Sequence, residues 1–177
     1  MSDDVIRSAE EVQQALSAGG LKATLVQDVD LSRAGMPSAQ ASDVTFRRVA
    51  LHGADVTHGS WARTKFTESS CRGARFSGGL LRGASFFSTE LIEARFDGAQ
   101  LSGTAFFSSR LGNADFSGSH IASGTFNACE LFGVRFTRSL LMNTRFEAPE
   151  RGNITLDRAD FSHAVVIDCD LLGANLF

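Results

Sequence analysis

The stretch that decides the fold runs from residue 86 to residue 136 and reads FFSTELIEARFDGAQLSGTAFFSSRLGNADFSGSHIASGTFNACELFGVRF. Every fifth residue is bulky and apolar, and phenylalanine alternates strictly with an aliphatic residue. We call these residues the centres: Phe86, Leu91, Phe96, Leu101, Phe106, Leu111, Phe116, Ile121, Phe126, Leu131 and Phe136. The residue two positions before each centre is smaller, as in Ala84, Thr89 and Ala94. A spacing of five matches neither the 3.6-residue period of an α-helix nor the two-residue period of a β-strand.

A fixed repeat of this kind predicts a solenoid, in which each coil of the backbone stacks on its neighbours. Because Phe and aliphatic centres alternate, the sequence repeats every ten residues, and a closed coil must hold a multiple of ten. Ten residues are too few to enclose a core, so we expect twenty per coil, arranged as four sides of five residues. Phe86, Phe106 and Phe126 should then form one interior ladder, with Leu91 and Leu111 in the next.

The motif resembles that of the pentapeptide-repeat family, which is roughly Ala-(Asp/Asn)-Leu-x-x with Leu or Phe at the centre. The chain shows it as Ala-Asp-Phe-Ser-Gly at 114–118, as Ala-Asp-Phe-Ser-His at 159–163 and as Ala-Asn-Leu-Phe at 174–177. The resemblance extends from about Val26 to Phe177. It implies an all-β fold, a right-handed quadrilateral parallel β-helix, which agrees with about seven coils of twenty residues. The handedness and the square cross-section come from the resemblance.

Residues 1–20 are predicted to form a cap over the first coil, and residues 21–177 to form the β-helix, since solenoids need their open ends covered. A helix is expected over residues 3–18, with Ser8 as its N-cap, Ser2 as the rival start and a Gly-Gly pair after the last turn. The apolar residues at helical spacing on one face of this segment are Val5, Ala9, Val12 and Leu16.

Two segments interrupt the repeat. Residues 35–42, which include Pro37, are predicted to form a looser corner. Within residues 147–155, continuing the count places Arg151 at a centre, where an unpaired charge is costly. We therefore expect five residues to loop outward there, so that Leu156 takes the position after Phe146 and the alternation of Phe with aliphatic residues resumes.

The composition excludes several classes of protein. The net charge is −3, but residues 41–177 hold 14 acids and 14 bases and are neutral. The start of the chain lacks the features of a signal peptide, and no apolar run approaches the ~18 residues that span a membrane. Cys129 and Cys169 are expected ~9.6 Å apart, two coils at ~4.8 Å each, which is too far for a disulfide. With Cys71 they indicate buried thiols in a reducing cytoplasm.

The sequence holds little catalytic chemistry. It contains no P-loop, no dinucleotide-binding fingerprint and no Ser/His/Asp arrangement. The histidines fall at outward positions on scattered coils and form no metal-ligand spacing with the cysteines: His52, His58, His120 and His163. We therefore expect no enzyme activity, no cofactor and no metal, and the function should lie on the outer faces.

Exposed aromatic residues are the candidate partner site. Phe87 and Phe107 follow their centres one coil apart, so they should stack about 4.8 Å apart on the outer surface. Ile92 lies round the corner from Phe87, and Phe132 lies further along that second side. Adjacent exposed aromatics favour a partner-binding patch. The alternative is that these side chains fold over their own corner and bind nothing.

Two rows of charge should run along the rod. Arg75, Arg95 and Arg135 form one row, interrupted by Asp115. A second row holds Glu90 and Glu130, interrupted by Arg110; Asp170 belongs to it only if the loop does not shift the register. Rows of mixed sign are typical of solvated faces.

The first hypothesis is a non-catalytic scaffold or adaptor that binds a protein partner, as in bacterial secretion or regulation, without contacting nucleic acid directly. The alternative comes from the resemblance, which includes quinolone-protection proteins whose acidic face imitates DNA and binds DNA gyrase. Such a face must be almost continuously anionic, because duplex DNA carries one charge per ~1.7 Å. The final coil should expose an apolar end at Leu171, Leu176 and Phe177, which a second copy would cover as a C-terminal homodimer.

Overall fold

The computed structural model describes residues 5–149, 154–171 and 174–175. These residues contain one α-helix, α1 (Ala9–Ala18), and sixteen short strands. In chain order the strands are β1 (Val5–Ile6), β2 (Leu21–Lys22), β3 (Leu25–Gln27), β4 (Gln40–Ser42), β5 (Thr45–Arg47), β6 (Ser60–Ala62), β7 (Lys65–Thr67), β8 (Ser85–Phe87), β9 (Ala105–Phe107), β10 (His120–Ala122), β11 (Thr125–Asn127), β12 (Leu140–Met142), β13 (Arg145–Glu147), β14 (Ile154–Thr155), β15 (Val165–Ile167) and β16 (Ala174–Asn175).

Every strand pairing is parallel, and the predominant register is twenty residues. The first side of the coil is an eight-stranded sheet in the order β1-β3-β5-β7-β8-β9-β11-β13. The second side contains the pair Arg110 and Glu130, the third contains Asp115 and Arg135, and the fourth contains the sheets β2-β4-β6 and β10-β12-β15. The chain is therefore a four-sided parallel β-solenoid of about seven coils, which confirms the prediction from the repeat.

The core consists of two phenylalanine ladders that face each other across the coil. On the first side, Phe106 stacks between Phe86 and Phe126 with ring centroids 5.0 and 4.9 Å away. Rings of the third side, Phe96 and Phe116, meet Phe106 edge to face at 5.9 and 5.7 Å. The second and fourth sides fill the remaining space with mainly aliphatic centres. Parallel stacking within a ladder and perpendicular contact between ladders are both favourable geometries for aromatic rings.

The small residues two positions before the centres satisfy the backbone at the corners. The Thr104 hydroxyl donates to the Leu81 carbonyl at 2.7 Å, and the Ser109 hydroxyl donates to the Phe86 carbonyl at 3.2 Å. These hydroxyls are buried, so each one needs such a partner. The corner residue two positions after a centre has positive φ, as in Gly98 with φ 67°, a conformation that glycine adopts without steric cost.

The N-terminal segment differs from the prediction of a helix over residues 3–18. Residues 5–6 form β1, which pairs with β3, and α1 begins only at Ala9. Ser8 is the N-cap and its hydroxyl accepts from the Glu11 N–H, while Gly19 closes the helix. Val12 and Leu16 are buried against the first coil. Ile6 lies beneath Val26 because it is a centre of the twenty-residue register, and this pairing outweighs the helical spacing of the adjacent Val5 with later apolar residues.

Residues 35–42 are regular, which corrects the expected looser corner. Met36 is a buried centre, and its N–H donates to the Asp55 carbonyl at 2.7 Å. The N–H groups of a centre and of the second residue after it donate to the following coil through most of the rod, as those of Met36 and Ser38 do. The residue between them does not donate to the ladder, so Pro37 costs no hydrogen bond there.

The interruption after Phe146 is a five-residue insertion, as the sequence indicates. Glu130 pairs with Thr155, and Phe161 stacks on Phe136 at 4.9 Å, so paired residues are twenty-five apart across the insertion. The spacing returns to twenty where Ile154 pairs with Ala174. Residues 150–153 lie outside the described residues. The shift also moves Cys169 onto a different side from Cys129, so the expected distance of two coils does not apply to them; all three cysteines are free.

Candidate partner-binding surface

Phe87 and Phe107 form a stack on the outer surface of the first side. They occupy equivalent positions in β8 and β9, and their ring centroids lie 4.7 Å apart with planes 11° from parallel. Phe87 is 38% exposed, and Phe107 is half-buried. The predicted stacking is confirmed. The two rings occupy equivalent positions on paired strands, so the strand spacing brings them into contact.

Small polar residues flank this stack along the rod. Thr67 occupies the same position one coil before Phe87, and Asn127 occupies it one coil after Phe107. Beside the stack, the corner between the first and second sides holds a shallow groove of about 290 Å³. Its lining residues are Glu68, Ser69, Ser70, Ser88, Thr89, Glu90, Ser108 and Arg110. The two rings are therefore the apolar centre of a surface with a polar margin.

The other two predicted patch residues lie apart from the stack. Ile92 is half-buried on the second side, and Phe132 is on the same side two coils later, with Gly112 between them. Phe132 is 43% exposed, and the Arg158 guanidinium lies over its ring at 5.4 Å. That cation–π contact gives Phe132 a partner within the chain. The structure thus brings together Phe87 and Phe107 but not all four residues.

The predicted dimer end is only partly described. Leu171 is partly buried against the core, and Leu176 and Phe177 lie outside the residues whose side chains the structure describes. The exposed apolar residues near this end are instead those of β15: Val165, Val166 and Ile167. Val166 is a centre of the fourth side, paired with Leu141, yet it is 45% exposed. Continuing the register past the insertion places Val165 and Ile167 outside, whereas it makes Val166 an inward-facing centre.

The charged rows are present, and they neutralise themselves. Arg135 contacts Asp115 at 2.8 Å on the third side, and Arg110 on the second side lies 3.2 Å from Glu130. Pairs one coil apart recur at the corners, including Arg48 with Asp28 at 2.7 Å. The register shift places Asp170 beside Arg145 on the first side, which removes it from the row of Glu90. Acids and arginines are thus mixed within each row, although Arg75 and Arg95 are direct neighbours on the third side.

Hydrogen bonds set the acidity of several carboxyl groups. Partial burial alone would raise the pKa of Asp115, but hydrogen bonds from Arg135 and Ser117 outweigh it and lower the pKa below its ordinary value. The pKa of Asp28 is lowered by hydrogen bonds from Arg48 and Gln27. Each of these groups stabilises the folded chain while it is ionised.

We expect the free energy of unfolding to fall as the pH drops below about 4. A carboxyl group whose folded pKa lies below its unfolded value of about 3.9 stabilises the fold above that pH, and this contribution is lost as the pH falls through the folded pKa. Urea unfolding over a pH series measures the effect. Asp115→Asn should flatten the acidic limb, whereas Asp157→Asn removes a carboxylate that makes no side-chain hydrogen bond with any described residue. An equal limb in both variants would contradict the prediction.

The described residues offer no evident site for catalysis. The four histidines are exposed, as predicted, and no group of three or more metal-binding side chains occurs in the described ranges. Burial raises the pKa of Cys129 to about 12, and it raises the pKa of Cys71 further. Both thiols are therefore poor nucleophiles. Among the described residues, no helix has the length and apolar character needed to cross a bilayer.

The most exposed large apolar side chain among the described residues was not one of the predicted site residues. Leu80 is 52% exposed on the fourth side. The signal was present, because Leu80 precedes the centre Leu81 and the repeat places that position outside. The residues predicted from the sequence to form the patch all directly follow their centres.

Comparison with known proteins identifies the repeat. The family model described as pentapeptide repeats matches in eight copies, with matches over residues 45–83, 69–106 and 84–121. The solved structure of full-length QnrB1, a plasmid-mediated fluoroquinolone resistance protein, is 17% identical with a TM-score of 0.44, over 98% of this chain and 87% of that one. HetL, involved in heterocyst differentiation regulation in the cyanobacterium Nostoc sp. strain PCC 7120, is 17% identical with a TM-score of 0.35, over 97% of each chain. No curated protein matches.

Proposed function

Because the chain belongs to the pentapeptide repeat family, we propose that it is a non-catalytic binding protein that holds a protein partner on the Phe87–Phe107 stack. The observation that carries this proposal is the pair of parallel rings 4.7 Å apart on the outer surface. Side chains at this position are otherwise polar in the neighbouring coils, as Thr67 and Asn127 are. The apolar pair therefore stands out from its own row.

The stack suits binding because it is already organised. Each ring restricts its neighbour, and both are carried by strands of a continuous sheet. A partner that covers the rings loses little side-chain entropy in ordering them, which favours affinity. Aromatic residues at the centre of an interface with a polar margin commonly supply most of its binding energy. The groove lined by Ser88 and Ser108 provides such a margin beside the rings.

The alternative function, DNA mimicry directed at gyrase, finds little support in the arrangement of charge. A mimic needs acids that are free to act as phosphates. Here Asp28, Asp43 and Asp115 each lie within 2.7–2.8 Å of an arginine one coil away. Their field is largely cancelled at the surface. We therefore favour a partner that recognises shape and apolar area.

We also propose that the chain forms a homodimer through its C-terminal coil. Support comes from the exposed side chains of β15, since Val165, Val166 and Ile167 present apolar surface at the end of the described solenoid. A second copy stacked on that end would remove this surface from water. Sedimentation equilibrium tests the dimer, and a Val166→Asp variant should shift the chain toward a monomer.

The partner site is tested by affinity capture from lysate of the source cell, with wild type and a Phe87→Ser/Phe107→Ser variant in parallel. The matched control is Thr67→Ala/Asn127→Ala, which changes the same row on either side of the stack. Folding of each variant is checked by the fluorescence of buried Trp61. We expect a partner that wild type and control retain in high salt, and that the serine variant loses.

Equal retention by all three proteins would discard the stack as the site. Retention of a gyrase subunit in a strongly salt-dependent manner would favour the DNA-mimic alternative, because screened charge and not apolar contact would then hold the complex.

A further inference from the structure

The fourth side of the solenoid differs from the other three in its charge. The outward positions on either side of its centres carry no acid in the described residues, in contrast to the ion pairs of the second and third sides. One row holds Gln40, Ser60, Leu80, Gln100, His120, Leu140 and Val165, and the other holds Lys22, Ser42, Ala62, Arg82, Ser102, Ala122, Met142 and Ile167. This side, which we call the neutral face, presents mainly small polar and apolar groups.

A groove of about 380 Å³ lies in the middle of the neutral face. Leu80 and Arg82 project beside it, and the small residues Ser60, Ala62 and Ser102 leave it open, with Gln100 as its remaining lining residue. Leu80 is 52% exposed, the largest exposed fraction among the large apolar side chains described. The neighbours of Leu80 in its own row, Ser60 and Gln100, are polar and leave its side chain without apolar cover within the row.

Arg82 has no acidic partner within the described residues. It forms no ion pair there, whereas the corner residue Arg63 is held by both oxygens of Asp43 at 2.7 Å. Lys65, round the corner in the preceding coil, is likewise unpaired among the described side chains. The groove therefore combines exposed apolar surface with unneutralised positive charge, and its complement is an apolar side chain next to a carboxylate.

A second apolar group lies further along the same face. Leu140 and Met142 are half-buried three coils beyond Leu80, and the exposed Val165 and Ile167 follow them. Three coils at the spacing of paired strands correspond to about 14 Å. That distance is close to the length of ten residues of α-helix, at about 1.5 Å per residue. A helix lying along the rod axis can contact both groups at once, and an apolar helix face packs readily on a sheet.

A second copy of this chain fits the neutral face poorly. If two neutral faces met, Arg82 would be buried against a surface that offers no acid among its described residues. Burying a charge without a partner is strongly unfavourable. A partner that binds this face must therefore supply a carboxylate that pairs with Arg82.

We propose that the neutral face binds an acidic amphipathic helix of a partner protein. An apolar side chain of that helix packs on Leu80 and a carboxylate pairs with Arg82, while apolar residues about ten positions along contact Leu140 and Met142. This site is separate from the Phe87–Phe107 stack and does not depend on the function proposed for it.

The test selects a phage-displayed library of random 16-residue peptides on the immobilised full chain, and measures the affinity of enriched peptides by fluorescence anisotropy. The variants are Leu80→Ser, Arg82→Glu and Arg138→Glu. Arg138 is the matched control, since it is exposed and unpaired among the described residues but lies at the corner before the fourth side. Thermal melts followed by circular dichroism establish that each variant folds.

We expect wild type and Arg138→Glu to enrich peptides with an amphipathic helical pattern and an acidic end. Leu80→Ser should weaken them at least tenfold. Arg82→Glu should do the same and should enrich peptides with a basic residue in place of the acid. Phe87→Ser/Phe107→Ser should bind the same peptides as wild type, which separates this inference from the proposed function.

Three outcomes would overturn the proposal. Wild type and Arg82→Glu could enrich the same peptides, or no helical peptide family could be enriched at all. A dimer of wild type that Leu80→Ser dissociates would make a second copy the occupant of this face.

Discussion

Replacing Phe106 by alanine should lower the free energy of unfolding by about 3–5 kcal/mol. The ring is 1% exposed, stacks on two phenylalanines of its own ladder and meets two more edge to face. Alanine leaves a cavity in the middle of four rings. The strands that carry those rings are fixed by hydrogen bonds to both neighbouring coils, so the cavity cannot collapse and most of the contact energy is lost.

Urea unfolding monitored by the fluorescence of Trp61 measures this loss. Phe107→Ala is the matched control, because it removes the same side chain from the adjacent residue, which faces outward. We expect the control to lose about 1 kcal/mol, the scale of one aromatic pair. Similar losses in the two variants would mean that Phe106 is not the interior residue of the pair.

Gly59→Ala should lower the free energy of unfolding by about 1–3 kcal/mol, the usual cost of overpacking a core. A methyl group at residue 59 would lie 2.5 Å from Nε1 of Trp61 and 3.0 Å from the carbonyl oxygens of Ala39 and Val56. Trp61 is buried and its ring also contacts Phe66 and two other aromatic rings, which leaves the indole no free direction to move.

The same variant should change the emission of Trp61, because the indole is displaced from its packed position. Gly112→Ala is the control, since the nearest heavy atom to a methyl group there is the Phe132 carbonyl oxygen at 4.0 Å. That substitution should be neutral or stabilising by up to about 1 kcal/mol, through a less flexible unfolded chain. A neutral Gly59→Ala with unchanged emission would show that the indole has room to spare.

The period of five was sufficient to predict the sides, the ladders and the insertion, because each depends on the same requirement. A bulky residue must enter the core at the middle of every side. Arg151 violates that requirement, so the count itself indicated that five residues leave the register before Leu156. The pairing of Glu130 with Thr155 confirms it.

The errors arose where two periods competed or where a residue type was given more weight than its position. Val5 fits the helix face that includes Ala9, and counting back twenty residues from Val26 would have identified the adjacent Ile6 as a centre. Pro37 was taken as a sign of irregularity, although its position in the repeat needs no N–H. In both cases the long-range register determined the structure over local propensity.

The surface could be predicted less completely than the core. The stacking of Phe87 on Phe107 follows from register alone, and so do the rows of mixed charge. Which arginine reaches which acid depends on side-chain rotamers, and the cover that Arg158 gives to Phe132 depends on the insertion. The exposure of Leu80 and the lack of a partner for Arg82 depend on their neighbours on the fourth side, which are uncharged.

The direction of the hydrogen bonds determines how the rod responds to tension between its two ends. The Leu111 N–H donates to the Glu130 carbonyl in the following coil, and the Arg110 N–H donates to the Thr89 carbonyl in the preceding one. Such links run along the axis, so tension between the two ends loads them a few at a time and peels one coil from the stack. Each detached coil of twenty residues would release up to about 70 Å of slack chain, at ~3.3–3.6 Å per residue. Under load the molecule would lengthen in steps, with one coil unfolding at each step.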